Sequence, residues 1–304
     1  MSDQWFHIPP DLTIGDTFGT LEAAPTNWGM RATHIDRLRT RFGEGQTVAI
    51  LDTGLDPDHQ ELAGRVLANR SFVPGESAHD GNGHGTHCAG TAVGATLTIG
   101  VSGKAKLIGG KCLSNAGSGS NTWIRAAFQW AVSSGATVIS MSIGGPGFME
   151  GMEDLVNMAD ACGIVTVLAA GNERQQGGVV RFPSSAIVVA AVDINGRFAS
   201  FSNPAATNSI LSTAAPGVNI TSARSGGGYI TMSGPSMATP FVAGVVACLQ
   251  SERQALGLPP LKNADFKKLF GSRNVDTGTP GADVDTGPGL LDGELLRLSL
   301  LPMP

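Results

Sequence analysis

No stretch of this 304-residue chain approaches the ~18 consecutive apolar residues of a membrane span. The first ten residues carry neither a basic cluster nor an apolar run of the kind a secretory leader needs, so the chain reads as cytoplasmic, with no membrane partner. Basic blocks are missing too. Lysine plus arginine number 20 against 25 aspartates and glutamates, a net charge of -5, and nothing in that distribution suits a phosphate backbone, which excludes nucleic acid as a partner. Cysteine is sparse: Cys88, Cys112, Cys162 and Cys248 have neither CxxC spacing nor a dense framework and read as buried free thiols. No repeat and no second domain appear. What the chain has in quantity is glycine, 42 residues of it, gathered at the ends of apolar runs where backbone turns tightly or approaches a ligand. With 41% hydrophobic residues and its motifs spread along the length, one large domain is the expectation.

The motif around which the rest is arranged is Ser233-Gly234-Pro235-Ser236-Met237-Ala238-Thr239-Pro240, followed by the apolar run 241–249. Small residues before Ser236 and a helical run after it set the hydroxyl at a helix mouth, where free N–H groups and the positive dipole end favour a developing anion. A serine needs a base. His84, in Asp80-Gly81-Asn82-Gly83-His84-Gly85-Thr86-His87, is the candidate base, and Asp52, closing the strand-like run Val48-Ala49-Ile50-Leu51, is the candidate carboxylate. Cys88 beside His87 is rejected as a nucleophile, because it falls inside the helical run that His84 opens, over 84–95. Further strands are expected at 47–51, 106–113, 136–143, 164–170, 187–192 and 210–215. Helices are expected at 32–42, 122–133, 263–270 and 293–300. His87 reads as a structural histidine, while His59 and His79 read as surface residues.

The three segments, in the order Asp, His, Ser, resemble the signatures of the subtilisin-like serine proteases. The resemblance covers about 28–300 and takes in Ser140-Met141-Ser142-Ile143-Gly144-Gly145, Ala169-Ala170-Gly171-Asn172-Glu173, Ala214-Ala215-Pro216-Gly217 and Gly287-Pro288-Gly289-Leu290. It implies a three-layer α/β fold, a mostly parallel central sheet with helices on both faces, forming a peptidase domain over 28–304. It also implies a serine endopeptidase acting on polypeptides through an acyl-enzyme, with Asp52, His84 and Ser236 as triad. Asn172 and the Ser236 N–H would form the oxyanion hole. Ser114, Gly117, Ser118 and Gly119 would form an edge that pairs with extended substrate. Ser142, Ile143, Gly144, Gly145, Ala169, Ala170 and Gly171 would wall the primary pocket, with Arg181 a candidate for its floor. A pseudoenzyme that only binds peptides, or an acyl-transferring ligase or cyclase, would share the fold. Pro235 departs from the threonine most relatives carry before the nucleophile, and retuned activity is expected there.

Residues 1–27 precede the family-like region. They read either as a tail or as a short inhibitor in cis, since Phe6-His7-Ile8-Pro9-Pro10 resembles a segment in the extension of intracellular subtilisins, the subfamily closest in layout. Ile8, Pro9 and Pro10 would then lie across the cleft. No cofactor is required for the chemistry. A structural calcium of the kind many relatives hold is in doubt, because Leu97 stands where the loop would offer an asparagine oxygen; Glu61 could still contribute a carboxylate. The oligomeric state is open, a dimer included.

Overall fold

The computed structural model describes residues 3–8, 14–18, 26–38, 40–144, 150–172, 183–204, 211–277, 280–283 and 285–298, with backbone only for 14–18 and 298. Gly145, Arg181, Pro9 and Pro10 therefore lie outside the described residues.

The apolar run after Gln46 forms β3 (Thr47–Asp52), buried on both faces as a central parallel strand must be. Ahead of it come two short strands, β1 (Trp5–His7) and β2 (Ile14–Phe18), and two single-turn helices, α1 (Gly29–Ala32) and α2 (Ile35–Leu38). The sequence predicts one helix here. The chain breaks at His34, whose φ of 50° is left-handed and whose Nδ1 is 2.7 Å from an Asp292 carboxylate oxygen. After β3 follow β4 (Val66–Ser71), α3 (His84–Val93), β5 (Lys106–Lys111), β6 (Ser118–Ser120), α4 (Asn121–Ser133), β7 (Val138–Met141), α5 (Met152–Ala161) and β8 (Val165–Ala169). The remainder comprises β9 (Ile187–Val192), β10 (Thr213–Pro216), β11 (Ile220–Ala223), β12 (Tyr229–Met232), α6 (Pro235–Ala255), α7 (Asn263–Arg273) and α8 (Gly293–Leu298).

Seven strands form one parallel sheet in the order β10-β9-β8-β7-β3-β5-β4. One face packs against α3 and α6 around Val48, Ile50, Ala89, Phe241 and Val245; the other packs against α4 and α5 around Leu51, Ile139, Phe128 and Leu155. This is the expected three-layer α/β architecture. The helix α6 is longer than its apolar core suggests, and its first 17 residues, Pro235 to Ser251, are all buried. Two expectations of burial are reversed. Cys162, just past the end of α5, is exposed. His59 is buried, its Nε2–H donating to the Gly228 carbonyl at 2.8 Å. His79 is exposed, as expected. Of the aromatics on α4, Phe128 is core, while Trp123 and Trp130 are half-buried. No helix among the described residues is long and apolar enough to cross a membrane.

Candidate active site

Central strands of a parallel sheet present their carboxyl ends to a common crevice. Asp52 is the last residue of β3, and there its Oδ1 accepts from the Thr53 N–H at 2.8 Å and lies 2.7 Å from His84 Nδ1. Both side chains are buried, at 1% and 2% exposure. His84 is the first residue of α3, behind Gly83, whose φ of 102° suits glycine. Burial pulls the His84 imidazole down, but the charge and hydrogen bond of Asp52 outweigh it and hold His84 well above its usual 6.5. With Nδ1 engaged by Asp52, Nε2 is the nitrogen left over; it is buried and makes no hydrogen bond. His87, one turn on, is held by burial at about 3, with Nε2–H donating to the Ile220 carbonyl at 2.9 Å, and is structural as expected.

Ser236 is the second residue of α6, after Pro235, whose missing N–H costs nothing at that position. Pro240 within the helix cannot donate to the carbonyl four residues earlier, which is that of Ser236. That carbonyl is instead taken by the Ser142 hydroxyl at 2.8 Å and approached by the Cys88 thiol at 3.4 Å. Cys88 Sγ also lies 3.9 Å from His84 Nδ1, so one thiol touches both the histidine and the serine segment. Burial pushes that thiol up, which keeps it neutral. Ser142 was expected as a pocket wall; its side chain fixes the start of α6.

Asn172 follows β8 and Gly171, is 2% exposed, and has neither amide atom partnered. It sits against the serine turn: a Cβ on Gly234 would meet Asn172 Nδ2 at 3.3 Å and Ser236 N at 3.6 Å. Ala169, Ala170 and Gly171 precede it, and they, like Ile143 and Gly144, are buried.

Two residues that sequence reasoning passed over tie this together. The Asp80 carboxylate accepts from Thr53 Oγ1, Gly83 N and Asn82 N on one oxygen and from Thr86 N and Oγ1 on the other, so it joins the segment after Asp52 to the turn before His84. Its signal was an aspartate four residues before the histidine with threonine two after. Lys111, wholly buried at the end of β5, donates to the Thr53 carbonyl and to Asn115 Oδ1 at 2.9 Å and pairs with Glu76 at 3.2 Å. It anchors the turn at 114–117, where Ser114 and Gly117 close on one another through Gly117 N–H to the Ser114 carbonyl at 2.8 Å.

The edge after that turn is occupied. Strand β1 runs antiparallel to β6, with Phe6 opposite Gly119 and His7 opposite Ser118. On its other side, His7 and Gly144 exchange two backbone hydrogen bonds at 3.0 and 3.2 Å, and Ile8 N donates to the Gly117 carbonyl at 2.8 Å. Phe6 is 1% exposed and packs with Leu113, Ile124 and Ile143 in the α4-side core. The extension is thus no loose tail over 3–8. Farther along it, β2 pairs antiparallel with β12.

Glu61 lies away from this centre. Its Oε1 accepts from Thr96 Oγ1 and Tyr229 OH, both at 2.6 Å, and its Oε2 from Thr96 N at 2.7 Å. Donors take up both Glu61 oxygens, and the Leu97 side chain, 51% exposed, offers no oxygen, so neither of these two side chains presents a free ligand to a calcium ion. Among the described residues, the cluster that gathers three metal-ligating side chains is Asp52, His84 and Cys88, where Nδ1 is already committed to Asp52.

A parallel α/β sheet with a carboxylate, an imidazole and a helix-mouth serine at its strand ends defines a hydrolase of the serine type. The profile of the subtilase family matches residues 43–288. The chain is 42% identical over 262 residues to the Thermostable alkaline protease of Halalkalibacterium halodurans, covering 83% of this chain and 69% of that protein. It is 39% identical over 284 residues to Alkaline elastase YaB of a Bacillus species, at 90% and 70% coverage. It is 40% identical over 247 residues to Subtilisin DY of Bacillus licheniformis, at 78% and 88% coverage. The chain belongs to the subtilase family and is a subtilisin-like serine protease.

Proposed function

We propose that this chain is an endopeptidase that cuts polypeptides through an acyl-enzyme formed on Ser236. The Ser236 hydroxyl attacks the scissile carbonyl while its proton passes to His84 Nε2; Asp52 holds the imidazole tautomer and stabilises its cationic form. Collapse of the tetrahedral intermediate breaks the C–N bond, and the same proton leaves with the amine. Water, deprotonated by His84, then attacks the acyl carbonyl, and the C–O bond to Ser236 breaks as His84 returns the proton to Ser236 Oγ, releasing the acid. Asn172 Nδ2 and the Ser236 N–H receive the oxyanion.

The observation that carries this reading is the buried Asp52 Oδ1–His84 Nδ1 contact at 2.7 Å, with His84 Nε2 left unpartnered and with both amide atoms of Asn172 unpartnered against the Ser236 turn. Burying such groups unpaired is costly unless a reacting molecule pairs with them. The Ser236–His84 hydrogen bond is not formed in this state, which is common before substrate is bound. A fluorophosphonate probe tests the assignment: stoichiometric labelling of Ser236, lost in Ser236→Ala, is expected, and an unlabelled but folded wild-type chain would refute it.

The second part of the proposal is inhibition in cis. Residues Phe6, His7 and Ile8 form the hydrogen bonds of an added strand between the Gly117–Gly119 edge and Gly144. Pro9 and Pro10 come next in the sequence. Proline has a fixed φ and no N–H, so such a segment docks as substrate does and resists being cut. Its tether keeps it at roughly millimolar effective concentration.

A further inference from the structure

Beyond the turn that carries His84 lies a polar cleft of about 240 Å³, with Gly81, Asn82 and Gly83 on one wall and Arg224, Ile230 and Met232 on the other. The hairpin joining β11 to β12 is rigidly set against the histidine turn. Gly226 N donates to Asp56 Oδ2 at 2.8 Å, and the Ser225 hydroxyl donates to the Asp80 carbonyl at 2.6 Å. His59 holds Gly228. Arg224 sits at the head of this hairpin, exposed.

The carboxylates nearby are already committed. Asp56 accepts from Gly226 N and Asp58 N, and the two oxygens of Asp80 accept five donors between them. No ion pair or hydrogen bond of the Arg224 guanidinium is found among the described residues.

The path of the extension gives the cleft its direction. β1 runs along β6 toward the histidine turn, ending with Ile8 bonded to Gly117, where a Cβ on Gly117 would meet Asn82 Nδ2 at 3.6 Å. β2 then runs away from the serine along β12, from Ile14 opposite Met232, close in sequence to Ser236, to Phe18 opposite Tyr229. A substrate running the same way lays the residues before its scissile bond on β6 and those after it against β12, beside Arg224. In sequence the segment before Arg31 is acidic: it has Asp3, Asp11, Asp16 and Glu22, and no lysine or arginine.

We infer that Arg224 is a specificity-determining residue that selects an acidic side chain among the first residues on the leaving side of the scissile bond. This rests on the reading of Ser236 as the nucleophile. An exposed cation at a cleft wall acts through a partly screened charge pair and through steering, so the preference is modest and salt-sensitive.

The test uses the full-length chain and quenched fluorescent peptides that share one sequence before the cut and carry Asp, Gln or Lys at each of the following positions in turn. Occupancy by the extension slows all of them alike and cancels in ratios of kcat/KM. At low salt, Asp at the favoured position is expected to be cleaved about threefold to fivefold more efficiently than Gln, with Lys below both, and the spread to shrink at high salt. Arg224→Glu should reverse the order, Arg224→Gln should level it, and Arg224→Lys should keep it. Equal efficiencies in the wild type, or an acidic preference that survives Arg224→Glu, would overturn the inference while leaving the peptidase intact. If no peptide is cut at all, the peptidase reading fails and takes the inference with it.

Discussion

Two buried carboxylates, 9 residues apart in sequence, are treated in opposite ways. Glu61 is 1% exposed and every contact it makes is a donor pointing inward: an amide, a threonine hydroxyl and a phenol. Asp52 is equally buried, yet its Oδ2 has no partner, and the chain of groups it begins ends in an unpartnered His84 Nε2 and an unpartnered Asn172 amide. A satisfied buried carboxylate stabilises a fold; a partly satisfied one spends stability on a place where something else must bind. Between these two carboxylates the difference lies in their partners and not in their burial, since both are 1% exposed.

Removing an unpartnered group should cost activity and spare stability, and the largest effect is expected there. Asn172→Ala should lower kcat by about 10² to 10³, the magnitude known for the equivalent donor in subtilisin. The thermal midpoint should not fall, because no intramolecular hydrogen bond of the side chain is lost. An Asn172 variant that is inactive only because it unfolds would break the comparison.

The acid limb of the pH profile sharpens it. His84 acts as a base only when neutral, and Asp52 holds it above 6.5, so kcat/KM should rise with pH through an inflection above 6.5, by about tenfold per unit below it. Stability runs the other way. A histidine whose folded value is raised contributes stability fully below the unfolded 6.5, and this contribution is lost as pH rises through the folded value. Activity and the His84 share of stability should therefore cross; an inflection below 6.5 would show that burial, not Asp52, governs the imidazole.

The occupied edge gives the next effect. Phe6 is the buried anchor of β1, and Phe→Ala at buried positions costs about 3 to 5 kcal/mol when the side chain is part of a core. Loosening a tethered strand by even part of that should raise kcat/KM on a small peptide by about tenfold or more, until the cleft is mostly free. Unchanged activity in folded Phe6→Ala would mean that the strand does not compete with substrate.

These contrasts were unequally visible in the sequence. Asp52, His84 and Ser236 stand in glycine-flanked motifs at the ends of apolar runs, and β3, β8 and β9 are long enough for their apolar runs to be read within one or two residues. The extension strands were not legible as strands, because three residues such as Trp5–His7 have no period, and their pairing with β6 is non-local. The 21 residues of α6 extend past the apolar run 241–249 by which it was read, because its last turns, Gln250 to Ala255, are polar in sequence; Pro240 is tolerated since Ser142 and Cys88 take over the Ser236 carbonyl. Lys111 carries no motif of its own, and Asp80, though it opens the His84 motif, shows its role only when Thr53 is placed beside it.

On the satisfied side, Glu61→Ala should cost stability instead of activity. It strands Thr96 N and two hydroxyls, and each buried group left unpaired costs about 1 to 3 kcal/mol, with the hydroxyls able to turn elsewhere. Burial, then Glu61, pushes the Tyr229 phenol up, so it stays a donor throughout the working pH range. A lowered midpoint with kcat retained is expected; the reverse would place Glu61 in the chemistry.

The smallest expected effect is that of calcium on the same loop. A hard cation wants 6–8 oxygens around it, and Glu61 already spends both of its own on hydrogen-bond donors, while Leu97 offers an alkyl chain. Binding would have to expel those donors and leave them buried without partners, so it gains little over the hydrogen bonds it replaces. An ion bound to the native state alone would add about 2.7 kcal/mol at about a hundred times its Kd. Thermal unfolding in millimolar calcium and in excess chelator should therefore give one midpoint, in the wild type and in Leu97→Asn alike, because a single added oxygen does not free Glu61 from its donors. A calcium-dependent rise in the wild type would mean that the carboxylate exchanges its donors for the ion, and Glu61 would then belong with Asp52, among the groups held ready for a partner.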